Sequence, residues 1–291
     1  MKLWLLLLWL GLLPSSFGQN VEQSRTTSQS ASRVEVPFRL YRRYLIVVKG
    51  SLGRFDGLNF LVDTGANPTA VDQRIAKKLG LNGHRRELNF LDQSTAVQEA
   101  VLPAIQLGPI RGGFLRCIVQ DLSPLERNLS VRIDAIVGFD ILGAESFAVN
   151  YESSKIIFGD VERLPFSVPF DTGPPKLTVQ LRVGDEPLRI LLDTGAQDLL
   201  LFGCSLPDRL NELAILGVKK SSSTQDVAFD VQEARLSGVH LGAADLGAVR
   251  VFLVPGNQSC GWPFGGVMGM AAFGLREVAF DFERKMFSFK R

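Results

Sequence analysis

The same succession of features runs through this chain twice, and that repetition limits the folds open to it more than any other property. Each run opens on an apolar segment, Tyr44-Leu45-Ile46-Val47-Val48 in one and Leu177-Thr178-Val179-Gln180-Leu181 in the other. A turn follows, through Gly50 and Gly53 or through Gly184-Asp185-Glu186-Pro187. A second apolar segment, Phe60-Leu61-Val62 or Ile190-Leu191-Leu192, then ends in Asp63-Thr64-Gly65-Ala66 or Asp193-Thr194-Gly195-Ala196. Both read as hairpins whose returning strand ends at the aspartate.

The parallel continues downstream. Thr69 to Leu79 has apolar residues at Val71, Ile75 and Leu79, with Thr69 and Asp72 at capping-box spacing and Gly80 as a stop. Ser205 to Leu216 repeats this with Leu206, Leu210 and Leu213, Ser205 and Asp208 at the cap, and Gly217 as the stop. Each stretch predicts one short helix. Val97-Gln98-Glu99-Ala100 then reappears as Val231-Gln232-Glu233-Ala234, each followed by an alternating strand, Phe114 to Val119 or Val249 to Val254. Ala135-Ile136-Val137-Gly138 matches Gly266-Val267-Met268-Gly269, and the strands Phe147 to Tyr151 and Val278 to Phe282 close the two halves. This much register predicts a mostly β protein of two homologous lobes.

A third Asp-Thr-Gly, at 171–173, shows that the tripeptide by itself carries little weight. Pro165 and Pro169 precede it and Pro174 and Pro175 follow it, which reads as a linker between the lobes. The chain of 291 residues has room for two domains of about 100–150 residues each. Its net charge of +2 and lack of a dense basic run argue against a nucleic-acid partner.

At the N-terminus, Lys2, the apolar run Leu3 to Leu13 and the small residues around Ser16-Phe17-Gly18 read as a secretory signal. The run is short of the roughly 20 residues of a comfortable membrane span, so export to the periplasm or the extracellular space is expected. An uncleaved membrane anchor is the alternative. The expected division is a signal peptide at 1–18, a disordered Ser/Thr/Gln-rich leader at 19–34, a first lobe at 35–163, a linker at 164–175 and a second lobe at 176–291. Outside the cytoplasm Cys204 and Cys260 could pair, leaving Cys117 free, and three buried thiols are the alternative. Asn128 and Asn257 fit a glycosylation pattern in a eukaryotic secretory route. No Cys-x-x-Cys occurs and His84 and His240 lie far apart, so no metal or other cofactor is expected.

With these features the sequence resembles the pepsin/retropepsin clan of aspartic peptidases. The match rests on the apolar strand ending in Asp-Thr-Gly-Ala, the hairpin region after it, and the later apolar-apolar-Gly segments Ile136-Val137-Gly138 and Val267-Met268-Gly269. It spans almost all of residues 35 to 291 and implies a bilobal acid-protease fold of two β-barrel-like lobes. The short lobes and Ala66 and Ala196 look more like the retroviral-type enzymes, which pair two identical chains. Here both lobes lie on one chain, so a monomer is expected, with pairing of halves between molecules as the alternative.

The resemblance implies Asp63 and Asp193 as the catalytic pair. Thr64 and Thr194 would bond across to the opposite lobe, with Gly65, Ala66, Gly195 and Ala196 completing the support. The chemistry can be stated without the family. Two carboxylates about 3 Å apart cannot both ionise cheaply, so they hold one proton between them; aspartic-protease dyads are the standard example. The ionised member takes a proton from water attacking a peptide carbonyl, and the protonated member polarises that carbonyl. Gly65 and Gly195 let the loop turn sharply and bring backbone N–H groups to the carboxylate.

Pepsin-like enzymes usually have a hydroxyl residue where this chain has Ala66 and Ala196. Its absence predicts a dyad that titrates higher and activity at weakly acidic to neutral pH. The candidate flaps, Arg86 to Val101 and Lys219 to Ala234, lack both the tyrosine of pepsin-like flaps and the glycines of retroviral ones. Trp262 could line the cleft or pack in the core. The expected activity is peptide-bond hydrolysis on a peptide or protein bound between the lobes. A silent peptide-binding module of the same fold is the alternative. A serine hydrolase is disfavoured, since there is no Gly-x-Ser-x-Gly elbow.

Overall fold

The computed structural model describes residues 3–4, 33–90, 93–173, 177–206, 215–222, 228–254 and 263–291. The chain is mostly β, and its strand pairings repeat. In the first half, Leu45–Leu52 and Phe55–Val62 form an antiparallel hairpin. In the second, Thr178–Val183 and Glu186–Asp193 do the same. Both returning strands are buried along their ends: Phe60, Leu61 and Val62 in one, Ile190, Leu191 and Leu192 in the other. An unbroken apolar run suits a strand covered on both faces, where alternation would leave a polar residue without water.

The rest of each half follows one plan. The apolar-apolar-Gly strand lies parallel to the aspartate strand, Ala135–Val137 beside Phe60 to Val62 and Gly266–Gly269 beside Ile190 to Asp193. The strand after each aspartate loop, Ala70–Asp72 or Leu199–Phe202, runs antiparallel to that segment. On its other side it runs parallel to a later strand, Leu115–Gln120 or Ala244–Val254. A long hairpin extends from each half, His84–Phe90 with Gln93–Leu102 and Ile215–Ser222 with Ala228–Leu241. These hairpins contain both candidate flaps; residues 91–92 and 223–227 lie outside the described residues.

The halves meet in one antiparallel sheet of six strands. Its order is Val34–Tyr41, Lys155–Phe158, Phe147–Asn150, Glu277–Asp281, Met286–Lys290 and Phe166–Asp171. The central pair joins the halves, setting Phe147 opposite Phe280 and Val149 opposite Val278. The Phe147 and Phe280 ring centroids are 4.8 Å apart, and both side chains are fully buried. Apolar surface buried here contributes on the order of 25 cal/mol per Å2, which makes the sheet a strong joint.

Three sequence expectations change. The segment 164–175, expected to be a linker, contains the strand Phe166–Asp171, which holds the same place in the second half as Val34–Tyr41 in the first. It tolerates Pro169 because this residue pairs on one side only, with Met286, and the pairing with Thr178–Val183 begins at Phe170. The helix expected over 69–79 spans only Gln73–Leu79, because Ala70–Asp72 pairs with two strands. Asp72 caps it through the Arg74 N–H, and Gly80 closes it at φ 67°, the left-handed conformation that glycine adopts without strain. The first half also has helices at Ser123–Leu129 and Phe139–Leu142, so it holds more than one. Pro124 starts the former at a position that needs no N–H donor.

The matching helix expected over 205–216 lies largely outside the described residues. Its last part, from Ile215, belongs to a strand. The expected signal and leader likewise fall almost wholly outside them. Among the described residues no helix is long and apolar enough to cross a membrane.

Candidate active site

Each aspartate stands where a buried strand ends and its neighbour turns away. The Asp63 N–H donates to the Val137 carbonyl at 3.0 Å, the last rung between the aspartate strand and the apolar-apolar-Gly strand. Asp193 occupies the same place beside Gly269. The crossing is so close that only glycine fits. A Cβ on Gly138 would lie 2.5 Å from the Ala66 carbonyl oxygen, and one on Gly269 2.3 Å from that of Ala196. These two glycines therefore fix where each loop bends.

Past the aspartate the chain folds back on the carboxylate. Asp63 Oδ1 accepts the N–H groups of Gly65 at 2.9 Å and Ala66 at 3.0 Å. Asp193 Oδ1 accepts the Gly195 N–H at 2.7 Å. Such donors favour the charged carboxylate and fix its orientation.

The two loops interlock through their threonines. Thr64 Oγ1 accepts the Thr194 N–H at 3.0 Å and donates to the Leu192 carbonyl at 2.9 Å. Thr194 Oγ1 accepts the Thr64 N–H at 3.0 Å and donates to the Val62 carbonyl at 3.0 Å. All four bonds are buried, so each satisfies a polar group that water cannot reach.

Each glycine of the motif lies under the opposite carboxyl group. A Cβ on Gly65 would sit 2.4 Å from Asp193 Cγ, and one on Gly195 2.6 Å from Asp63 Cγ. Asp63 and Asp193 are both fully buried, so two acidic groups face each other across one interface away from water. Ionising both in that setting is costly. Ala66 and Ala196, also buried, pack in separate apolar clusters on either side. Val97 and Val231, from the two long hairpins, join those same clusters.

Several neighbours of this arrangement were not among the expected site residues. Thr69 Oγ1 accepts the Gly138 N–H at 3.0 Å and donates to Asp140 Oδ1 at 2.8 Å, and Asp140 Oδ2 accepts the Thr69 N–H at 3.0 Å. Thr69 thus pins the first loop to the end of its crossing strand and does not cap a helix. Tyr44 is buried in the cluster that holds Ala66. Burial, then the carboxylates of Asp198, Asp193 and Asp63, push its phenol well above the usual range, with Arg42 opposing. Asp198, five positions after Asp193 and 5% exposed, pairs with Arg250 at 3.1 Å.

The remaining marked residues lie elsewhere. Asp171 of the third Asp-Thr-Gly is exposed and pairs with Arg189 at 3.0 Å. His84 Nε2 lies 3.1 Å from Glu99, and His240 Nδ1 lies 3.0 Å from the Gly238 carbonyl. Cys204 is disulfide-bonded, whereas Cys117 is free and its thiol is pushed up to about 12, chiefly by burial. Cys260 and Trp262 lie outside the described residues. Among the described residues no group of three or more His, Cys, Asp or Glu could hold a metal ion.

Residues 49–141 match the aspartyl protease family model. The match runs from the hairpin before Asp63 through the crossing strand at Gly138 and does not reach the second half. It supports a protease. No curated protein matches the chain.

Proposed function

We propose that this protein is an aspartic endopeptidase whose single active site is divided between its halves, with Asp63 and Asp193 as the catalytic pair. The observation that carries the reading is the reciprocal packing of the two Asp-Thr-Gly loops, each glycine beneath the other half's carboxyl group. The second half repeats the strand plan of the segment that matches the aspartyl protease family.

In this reading the two carboxyl groups share one proton, because burial makes a second charge costly. The ionised member draws a proton from a water molecule as it attacks the scissile carbonyl carbon. The protonated member donates to the carbonyl oxygen, giving a tetrahedral intermediate. Collapse of that intermediate breaks the C–N bond: the protonated carboxyl group gives its proton to the leaving nitrogen while the ionised one takes a proton from a hydroxyl of the intermediate as C=O reforms, so the pair keeps its single proton. The threonine lock holds the carboxyl groups at fixed separation, so little reorganisation accompanies the charge movement. Peptide enters between the halves, where both carboxylates are buried. The protein acts as a monomer and is exported, the latter supported by the charged, apolar and small-residue order of its first 18 residues.

The test is digestion of a peptide library by the purified protein in 18O-labelled water, read by mass spectrometry. The expected products carry one 18O in each new C-terminal carboxyl group. Binding without cleavage from acidic through neutral pH would refute the peptidase reading and leave a peptide-binding module.

A further inference from the structure

The two halves differ in charge where their aspartate loops end. Asp198 follows Asp193 by five positions, and the equivalent residue after Asp63 is Pro68. The Asp198 backbone carbonyl accepts the Gly269 N–H at 3.0 Å, and Gly269 is the residue in register with Asp193. Its carboxylate is buried and takes Arg250 Nη2 at 3.1 Å. The same guanidinium reaches Glu233, on the second long hairpin, at 3.9 Å and lies over the Phe252 ring at 5.4 Å. In the first half the matching arginine, Arg116, pairs with Glu99, the counterpart of Glu233, at 3.7 Å.

A buried carboxylate is costly to keep, and an ion pair in such a place is commonly no more stabilising than apolar packing. Leu199 and Leu200, the next two residues, are themselves fully buried, so an apolar residue at 198 would suit the surroundings. A charge retained here acts on what lies nearby. Arg250 faces Asp198 and Glu233 from the adjoining strands, and Asp198 acts on the Tyr44 phenol together with Arg42, Asp193 and Asp63, so these groups share the surroundings of one buried side chain. Two of these are the proposed catalytic carboxylates.

Resting on the peptidase reading, we propose that Asp198 and Arg250 are positioning residues that set the pH range over which the Asp63–Asp193 pair carries a single charge. They also link that pair to the second hairpin through Glu233. The ion pair is close to neutral as seen from the dyad. Removing Arg250 leaves the Asp198 charge in place without that cation, and a nearby anion disfavours ionisation of both catalytic carboxylates. Removing the Asp198 charge leaves the cation, which favours ionisation. The two perturbations therefore have opposite signs. Arg250 is partly exposed, so its influence is screened and weakens as salt rises.

The experiment follows the dyad by carbon-13 NMR of labelled aspartate carboxyl groups, and by pH profiles of kcat/KM, in four proteins. Relative to wild type, Arg250→Ala is expected to move the titration and both limbs of the profile up by about half to one pH unit. Asp198→Asn is expected to move them down by a similar amount, and the double variant to lie near wild type. Shifts in the same direction, or loss of activity across all pH values with the titration unmoved, would overturn the proposal and leave a structural ion pair. If Arg250→Ala does not fold, the downward shift of the near-isosteric Asp198→Asn decides by itself. The NMR titration separates the two readings: a protein that cleaves nothing refutes the peptidase, whereas an unmoved titration refutes the role of Asp198 and Arg250.

Discussion

Replacing Thr64 with valine isolates the lock between the two loops, because valine keeps the β-branched shape and removes only the hydroxyl. The lost atom accepts the Thr194 N–H at 3.0 Å and donates to the Leu192 carbonyl at 2.9 Å, both across the interface and both buried. Two net hydrogen bonds are worth about 1 kcal/mol each, and an orphaned buried N–H adds roughly 1–2 kcal/mol. Thr64→Val should therefore cost about 3–4 kcal/mol. The Thr64 N–H still reaches Thr194 Oγ1, so the second pair of bonds survives, and Thr64→Val with Thr194→Val should cost more than either alone while departing from their sum, because the two residues share one network. For a protein of this size a cost of 3–4 kcal/mol lowers Tm by about 6–16 °C. Thermal unfolding followed by circular dichroism measures it, with Thr64→Ser as the control that keeps the hydroxyl and stays near wild type. Peptidase activity should fall further than stability, since loosened loops no longer hold the carboxyl groups in register. A Thr64→Val protein within about 0.5 kcal/mol of wild type would refute the argument, because the four buried bonds could not then be holding the loops together.

Other consequences are as specific. Gly65→Ala places a methyl group 2.4 Å from Asp193 Cγ, so it should displace the carboxyl group of the other half and abolish cleavage while the central sheet still forms; activity and circular dichroism together check this. Ala66→Ser supplies a hydroxyl donor beside Asp63 that favours the ionised form, so the acid limb of the kcat/KM profile should move to lower pH. The wild-type maximum itself should lie at weakly acidic to neutral pH, and a wild-type maximum at strongly acidic pH would contradict the reasoning. Glu99 is buried and accepts Arg86 at 3.1 Å through both carboxylate oxygens, with His84 at 3.1 Å and Arg116 at 3.7 Å. Glu99→Gln should loosen the first hairpin, read as faster amide exchange along 84–102 with little change in the central sheet.

Many of the strands were legible because they are short apolar or alternating runs and the second half repeats the first. Asp63 and Asp193 could be picked out because each follows a fully apolar strand, whereas Asp171, with the same tripeptide, sits in a proline-flanked stretch and is exposed. What local pattern could not carry was pairing between distant segments. Thr69 and Asp72 have the spacing of a capping box, yet Thr69 bonds Gly138 and Asp140 because strand pairing extends to residue 72. Phe166–Asp171 looked like a linker because prolines bracket it, but a strand accepts proline where it pairs on one side only, and Met286–Lys290 needed a partner there. Tyr44, Asp198 and Arg250 belong to no motif. That Tyr44 of the first half feels the carboxylates of Asp193 and Asp198 in the second depends on how the fold joins the halves, which spacing along the chain does not encode.

The central claim is that one active site takes one aspartate from each half of the same chain. The most direct measurement is kcat/KM for the wild type, for Asp63→Asn, for Asp193→Asn and for an equimolar mixture of the two variants, with the oligomeric state checked by sizing. Removing one member of a catalytic unit should cost nearly as much as removing both, at least about a thousandfold. The account predicts that each variant is inactive, that the mixture remains inactive, and that the active wild type is a monomer. Substantial activity in either single variant, or activity restored by mixing, would contradict it.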